Sequence, residues 1–134
     1  MIQRSHDTLL LTGAAGGLGV QLRRRLKANC RVLRLSDREP LGDAGPDEQV
    51  VQADLADAAA VDTMVAGVQA IVHLGGVATE AAFAPILQAN IVGMFHLYEA
   101  ARKHGVKRIV FASSNHVTGF YSQGETIDAS HPPR

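Results

Sequence analysis

Residues 9–19 read Leu-Leu-Leu-Thr-Gly-Ala-Ala-Gly-Gly-Leu-Gly, an apolar run that passes directly into a glycine-rich turn. A strand, this turn and then a helix leave backbone N–H groups unpaired at the helix N-terminus, where the helix dipole favours an anion such as a pyrophosphate. Gly13 permits the tight turn, Gly16 lets a phosphate approach the backbone, and Gly19 allows the helix to pack closely on the strand. The stretch therefore predicts a nucleotide-binding βα unit.

A second apolar run ends at Asp37, which comes 18 residues after Gly19. An aspartate at this spacing is placed to bind the adenosine ribose hydroxyls of a dinucleotide. Its charge repels a ribose phosphate, so the sequence favours NAD over NADP, although Arg38 stands next to it. The alternative is that Asp37 only opens a turn, since Asp-Arg-Glu-Pro is a turn-like sequence.

The composition is that of one globular domain. The 134 residues are 46% hydrophobic but only 4% aromatic, so small aliphatic side chains must fill the core. The 13 basic and 13 acidic residues cancel, so no overall field attracts nucleic acid or an anionic membrane. No apolar stretch approaches the ~20 residues that span a bilayer, and the polar start lacks the apolar core of a secretion signal. We therefore expect a cytoplasmic protein, and its single cysteine, Cys30, excludes an internal disulfide.

Short runs rich in Leu, Val and Ile alternate with segments of helical period, which predicts an α/β fold with a parallel sheet. A first helix is expected over about 17–27, another after the cap Asp57, and a long one from about Phe83 to His104. The connection 36–48 is predicted to be a long loop over the adenosine end. Strands are expected near residues 8–12, 31–35, 49–53, 70–74 and 107–112.

Two of these helices have predictable faces. The first should bury Leu18, Leu22 and Leu26 and turn its basic residues outward, namely Arg23, Arg24, Arg25 and Lys27. We interpret this basic run as a solvated face rather than a nucleic-acid patch. The long helix carries an apolar stripe made of Ile86, Leu87, Ile91, Met94, Leu97, Tyr98 and Ala101.

The polar and glycine-rich clusters follow the predicted strands. Strand one ends in the glycine turn, strand two in Asp37, strand three in Asp54, strand four in Gly75-Gly76 and strand five in residues 113–116. Because ligands of open α/β sheets bind outside the carboxyl ends of the strands, all five clusters are expected on one rim.

Several of these residues have a structural alternative. Asp54 either caps a turn or holds the adenine amino group, and Gly75-Gly76 either ends a strand or lets a cofactor lie flat across the sheet edge. Asn90 lies on the apolar stripe, where an unpaired amide would cost roughly 1–3 kcal/mol. It must therefore either pin a neighbouring loop or serve the active site. His73 is interpreted as a core residue, and no histidine has a metal-ligand spacing, so no metal site is predicted.

The chain resembles the extended short-chain dehydrogenase/reductase (NAD-dependent epimerase/dehydratase) superfamily in residues 12–19, Asp54-Leu55 and 73–76. It is most similar to the uronate dehydrogenases in residues 86–91, 97–102 and 108–116. The resemblance implies a Rossmann-type doubly wound parallel sheet of about five strands in the order 3-2-1-4-5, with NAD as cofactor. The cofactor-binding residues that it implies are Gly13, Ala15, Gly16, Gly17, Leu18, Gly19, Asp37, Asp54, Leu55, Leu74, Gly75, Gly76 and Asn90.

The resemblance also implies a chemistry. In such enzymes a tyrosine takes the proton of the sugar's anomeric hydroxyl while hydride passes from the same carbon to the nicotinamide, which gives an aldarolactone. Ser114 is the implied catalytic residue and would hydrogen-bond the reacting oxygen. Asn115 and His116 would hold substrate together with Ser114, although His116 is alternatively an exposed loop residue. Related enzymes carry a substrate-contacting serine after strand four, where Thr79 is the candidate substitute.

The Tyr-x-x-x-Lys motif of this superfamily is absent. Tyr98 is followed four positions later by Arg102, and Tyr121 by Glu125. Residues 1–134 are therefore expected to be the N-terminal, NAD-binding part of the family fold, inactive alone and associating as a homo-oligomer. The alternatives are an NAD-binding sensor module without catalysis and, less well supported, a nucleotide-sugar epimerase or dehydratase.

Overall fold

The computed structural model describes residues 6–134, so residues 1–5 of the polar N-terminal segment lie outside the described residues. Its strands are β1 (His6–Thr12), β2 (Cys30–Ser36), β3 (Glu48–Val50), β4 (Ala70–His73) and β5 (Arg108–Phe111). They form one parallel sheet in the order β3-β2-β1-β4-β5. The Rossmann-type order 3-2-1-4-5 is thus confirmed.

Helices α1 (Gly17–Leu26) and α2 (Ala58–Val65) follow β1 and β3. The predicted long helix consists of α3 (Phe83–Ile86), a π-helical segment (Leu87–Val92) and α4 (Gly93–Lys103), and short 3₁₀ turns cover Lys27–Asn29 and Asn115–Thr118. Asp57 caps α2 as predicted, since its Oδ1 accepts from the backbone N–H groups of Ala59 (2.9 Å) and Ala60 (3.1 Å).

Strand β3 ends earlier than the predicted 49–53, but the backbone continues beside β2. The N–H of Val51 donates to the Leu35 carbonyl (3.0 Å), and the N–H of Ala53 donates to the Asp37 carbonyl (3.1 Å). The backbones that follow β2 and β3 therefore remain hydrogen-bonded as far as Asp37 and Ala53, which places Asp54 close to Asp37.

The core has one layer on each face of the sheet, as expected for parallel strands buried on both sides. Leu10 and Ile71 face α2 and α4, where Met64 and Leu97 are fully buried. Leu9 and Leu11 point to the opposite face, where they pack with Leu33, Leu35 and the partly buried Leu22 and Leu26 of α1. This alternation along β1 fixes which helix covers which face.

One expectation about helix faces is wrong, and the predicted stripe of the long helix is only partly covered. Leu18 is 59% exposed because α1 begins only at Gly17, so its first turn stands at the rim of the sheet rather than over it. On the long helix, Ile91 (57%) and Tyr98 (43%) are exposed, whereas Leu97 and Ala101 are buried against α2. The apolar stripe is wider than the surface that α2 covers.

The basic run of α1 is not simply solvated, which corrects the prediction. Arg23 forms two hydrogen bonds to the Glu48 carboxylate (3.1 and 2.6 Å), and Lys27 lies 2.8 Å from the same group. The Glu48 side chain is only 1% exposed. Arg23 also donates to the carbonyls of Leu41 (3.3 Å) and Asp43 (3.1 Å), so this cluster ties the loop before β3 to α1.

We predict that Glu48→Gln lowers the free energy of unfolding at pH 7 by about 2 kcal/mol, less than the ~3–5 kcal/mol of fully buried pairs because Arg23 and Lys27 keep some solvent contact. The hydrogen bonds from Arg23 lower the pKa of Glu48 from 4.5 to about 2. The stabilisation is therefore complete above pH 4.5 and is lost as the pH falls towards 2. Urea unfolding of both proteins at several pH values measures the difference.

Glu99→Gln is the matched control, since the Glu99 carboxylate forms an exposed ion pair with Arg102 (3.0 Å). It should leave stability close to that of the parent. An equal loss in both variants, or a Glu48 difference that persists at pH 2, would contradict the assigned role of the cluster.

Candidate functional site

A cleft of about 670 Å³ lies at the carboxyl edge of the sheet. Its volume is within the roughly 300–1,000 Å³ range of small-molecule sites. The walls come from the segments that follow β1, β2, β3 and β4, together with Ala89 and Ala112. Every predicted cofactor-binding residue except Asn90 lines it, namely Gly13, Ala15, Gly16, Gly17, Leu18, Gly19, Asp37, Asp54, Leu55, Leu74, Gly75 and Gly76.

The glycine turn leaves no space for side chains at two positions. Gly13 has a φ of +68°, and a Cβ there would lie 2.7 Å from the Leu74 carbonyl carbon. A Cβ on Gly19 would lie 2.2 Å from the Gly13 carbonyl oxygen. No side chain caps α1 at Gly16, so the first-turn N–H groups of the helix can bind an anion.

Asp37 faces the glycine turn. Its Oδ2 accepts from the Ala15 N–H at 3.0 Å, while its Oδ1 accepts from the Glu39 N–H at 3.1 Å. The carboxylate therefore both opens a local turn and lies beside the glycine turn, so the two interpretations of the sequence are compatible. Beside it, the Arg38 Nε lies 3.3 Å from Glu39 Oε1.

Asp54 and Leu55 line the cleft after β3. The Asp54 Oδ1 accepts from the Ala56 N–H at 2.9 Å, and its carbonyl accepts from the Asp57 N–H at 3.0 Å. The turn-capping alternative is thus what the structure shows for this carboxylate oxygen. The contact with an adenine amino group stays a prediction.

A buried hydrogen-bond chain joins β1 to the Gly75 segment. The Gly75 N–H donates to Thr12 Oγ1 (3.2 Å), which lies 2.6 Å from His73 Nδ1. His73 is 1% exposed, as expected of a core residue, and burial lowers its pKa to about 4. We assign the proton of the neutral ring to Nε2, because the Thr12 hydroxyl, which accepts from Gly75, then donates to Nδ1.

Asn90 pins the loop after β4, which is one of its two predicted alternatives. Its Oδ1 accepts from the Val77 N–H (2.7 Å), and its Nδ2 donates to the Val77 carbonyl (2.9 Å). A Cβ on Gly76 would lie 2.8 Å from Asn90 Oδ1, so a glycine is needed there. Asn90 therefore shapes the cleft wall from behind, and direct contact with a cofactor stays a prediction.

The predicted substrate residues are not all brought together. Thr79 lines the cleft, whereas Ser114, Asn115 and His116 do not and are exposed. Ser114 Oγ lies 3.0 Å from His116 Nδ1 and accepts from the His116 N–H at 3.2 Å. They follow β5, which pairs with β4 up to Phe111 opposite His73, so they continue the same rim beyond Ala112.

Sequence reasoning missed some of the lining residues. Thr12 and Ser36 are the last residues of β1 and β2, and a polar residue that ends an apolar strand was the available signal. Ala89 and Ala112 carry no such signal, because only the packing of the long helix and β5 brings them to the cleft. The lining residues outside the predicted set are Thr12, Ser36, Arg38, Glu39, Ala53, Val77, Ala78, Ala89 and Ala112.

Across residues 6–134, no group of three His, Cys, Asp or Glu side chains could hold a metal ion. None of the helices in this described part of the chain is long and apolar enough to cross a membrane.

Residues 9–134 match the NAD dependent epimerase/dehydratase family. The match covers most of the chain, and the observed sheet order and glycine turn agree with it. The chain therefore belongs to the NAD dependent epimerase/dehydratase family.

Within this family, the chain is similar to several uronate dehydrogenases. The uronate dehydrogenase of Pseudomonas putida is 67% identical over 135 residues, which is 100% of this chain and 50% of that protein. The structure of uronate dehydrogenase from Agrobacterium tumefaciens is 55% identical with a TM-score of 0.93, covering 97% of this chain and 49% of that one. A mutant of that enzyme complexed with NAD is 56% identical with a TM-score of 0.92, covering 96% and 49%. The chain thus spans about half the length of these relatives.

We predict that His73 makes stability depend on pH between 6.5 and 4. Between these pH values His73 is protonated in the unfolded chain but stays neutral in the folded protein. The free energy of unfolding is therefore at its full value above pH 6.5 and falls as the pH approaches 4. The loss should reach roughly 2 kcal/mol by pH 5. In His73→Asn, whose amide can still accept from Thr12, thermal unfolding should be less pH-dependent over this range.

His116→Asn is the control, because that histidine is exposed in the folded protein. It should keep the pH dependence of the parent. An unchanged profile in His73→Asn would show that this ring is not the group responsible.

Proposed function

We propose that this chain is the NAD-binding part of an NAD-dependent uronate dehydrogenase, which oxidises a uronate to an aldarolactone. The observation that carries the proposal is the cleft at the glycine turn, with the Asp37 carboxylate 3.0 Å from the Ala15 N–H. The 67% identity to the Pseudomonas putida uronate dehydrogenase supports the substrate class. On this proposal, residues 1–134 form the N-terminal domain portion of the enzyme.

The residues of the cleft fit NAD. The first turn of α1 would bind the pyrophosphate, because Gly13 and Gly19 leave the backbone of the turn uncovered. Asp37 would accept hydrogen bonds from the adenosine ribose, and its negative charge disfavours a phosphate on that ribose. Asp54 and Leu55 would face the adenine, and Gly75-Gly76 would let the dinucleotide lie along the edge of β4.

The chemistry would take place at the β5 side of the rim. When bound, NAD supplies the hydride acceptor for the anomeric carbon. Ser114 Oγ accepts from the His116 backbone N–H (3.2 Å) and lies 3.0 Å from His116 Nδ1. When Nδ1 carries the ring proton, the ring donates to Oγ and the serine hydroxyl proton can point towards the reacting oxygen of a sugar. Asn115 and His116, with Thr79 across the cleft, would hold the other polar groups of the uronate.

The described residues contain no tyrosine suited to receive the proton. Tyr98 and Tyr121 lack a lysine four positions later, and the Tyr121 hydroxyl donates to the Pro132 carbonyl at 2.8 Å. We therefore assign binding and orientation to this part of the chain and propose that it is inactive alone.

Self-association is a further part of the proposal. Phe83 (72%) and Phe95 (63%) are exposed on the long helix together with Ile91 and Tyr98. Apolar side chains grouped on one helix face favour burial against a partner. A second copy of the protein is the partner proposed for this face.

Gly19→Ala should abolish NAD binding, because the new methyl group would lie 2.2 Å from the Gly13 carbonyl oxygen and would force the turn open. In the parent chain, NAD at 100 times its Kd should raise the free energy of unfolding by about 2.7 kcal/mol. Thermal unfolding with and without NAD measures this gain.

Gly124→Ala is the control, because a Cβ there meets nothing within 4 Å and Gly124 does not line the cleft. It should retain the NAD-dependent stabilisation, and circular dichroism should show that both variants are folded. A parent chain that NAD does not stabilise, or a Gly19→Ala variant that NAD stabilises fully, would overturn the proposed cofactor site.

The activity is tested in a chimera that carries the C-terminal half of the Pseudomonas putida enzyme after Arg134. We expect the chimera to reduce NAD with galacturonate or glucuronate, and the 134-residue chain to bind NAD without turnover. Ser114→Ala in the chimera should lower kcat by about 100-fold, as for the loss of one oxyanion donor.

The possible outcomes separate the functions considered. A chimera that binds NAD but oxidises neither uronate would refute the substrate assignment and favour a sensor module. Turnover by the 134-residue chain alone would refute the proposal that it lacks the proton acceptor.

A further inference from the structure

Leu55 lies where three parts of the cleft wall meet. It lines the cleft directly after Asp54. A Cβ on Gly75 would lie 3.0 Å from Leu55 Cδ1, and a Cβ on Gly93 would lie 2.6 Å from Leu55 Cβ. Leu55 is therefore packed between the segment after β4 and the first residue of α4. A methyl group at Gly93 would displace Leu55, whereas one at Gly75 would require only a small shift of the Leu55 side chain.

The backbone of Leu55 is held by a side chain from α4. His96 Nδ1 lies 3.0 Å from the Leu55 carbonyl oxygen, 41 residues away in sequence. A carbonyl oxygen can only accept, so Nδ1 carries the proton and donates. By contrast, the hydrogen bonds that Asp54 receives from Ala56 and Asp57 are local to the turn and do not attach it to another element.

Helix α4 is a rigid support for this bond. Gly93 and Leu97, which flank His96 on the helix, are buried, and Leu97, Ala100 and Ala101 pack in the core with α2. A side chain on such a helix has few alternative positions. The position of the Leu55 carbonyl, and with it the Asp54–Leu55 wall, is thus set by α4 rather than by the turn alone.

We infer that His96 is a positioning residue for the adenosine end of the cofactor cleft, acting through the Leu55 carbonyl. This inference rests on the proposed function, in which Asp37 and the Asp54–Leu55 wall receive the adenosine. His96 itself touches no cofactor. Its loss frees the wall to move and weakens adenosine binding, while the pyrophosphate turn and the β5 side of the rim keep their geometry.

The test compares His96→Leu with the parent protein by calorimetric titration of NAD, AMP and nicotinamide mononucleotide. We expect NAD and AMP to bind about fivefold more weakly, the loss of roughly one hydrogen bond, and nicotinamide mononucleotide to bind unchanged. His96→Asn places an amide N–H near the position of Nδ1 and should restore binding to within twofold. A purely structural role would instead weaken all three ligands together.

His104→Leu is the matched control. His104 is the C-cap residue of α4. It also makes one long-range hydrogen bond, between its Nε2 and the Asp62 carboxylate of α2 at 2.9 Å. That variant should lose stability but keep the affinities for NAD and AMP. If His96→Leu is not folded, Gly93→Ala tests the same wall, since its methyl group would displace Leu55, and it should reproduce the selective loss of AMP affinity.

The results distinguish failure of the inference from failure of the proposed function. Full AMP affinity in the tested His96 or Gly93 variant, or an equal loss in His104→Leu, would overturn the inference and leave the proposed function standing. Failure of the parent protein to bind NAD would overturn the proposed function and the inference with it.

Discussion

The fold and the cleft both depend on the absence of side chains where β1 turns into α1. Gly13 takes a φ of +68° and lies against the backbone of Leu74, so the backbone after β1 packs directly on the backbone after β4. The same contact places Thr12 beside His73 and Gly75, where all three share a buried hydrogen-bond chain. Gly19 then lets α1 start directly over the turn. One backbone geometry thus aligns the sheet edge, the helix dipole and the cleft.

The sequence predicted those parts of the fold and of the site that depend on motifs and on neighbouring residues. Glycine spacing, apolar runs and the residues that end them predicted the parallel sheet, the rim and the lining role of Asp37, Asp54 and Gly75. The strand order came from the resemblance to the dehydrogenase superfamily. The sequence did not predict contacts between residues that are far apart in the chain. The basic residues of α1 carried no sign that Arg23 and Lys27 pair with Glu48, because that contact exists only once the loop before β3 folds back. Leu18 was misplaced because periodicity does not say where a helix leaves the sheet.

The two sides of the rim differ in how they are held. Around Asp37 and Asp54, the segments are fixed by bonds between different elements: the Asp37 carboxylate to Ala15, and the Ala53 N–H to the Asp37 carbonyl. Around Ser114, the hydrogen bonds to His116 are local to one exposed turn. The proposed adenosine site is therefore held by contacts between elements of this chain, whereas the residues proposed to meet the sugar lie on one exposed turn.

If the proposal is correct, this difference separates cofactor binding from turnover. On this proposal, a dinucleotide contacts backbone and carboxylate groups that the sheet already places, so its binding needs little reorganisation. Proton transfer needs an acceptor within hydrogen-bond reach of the substrate, and the hydroxyl of Tyr121 is directed to Pro132 instead. On this proposal, the chain binds the cofactor before any catalytic group is in place, since the glycine turn and Asp37 are held by contacts within the described residues.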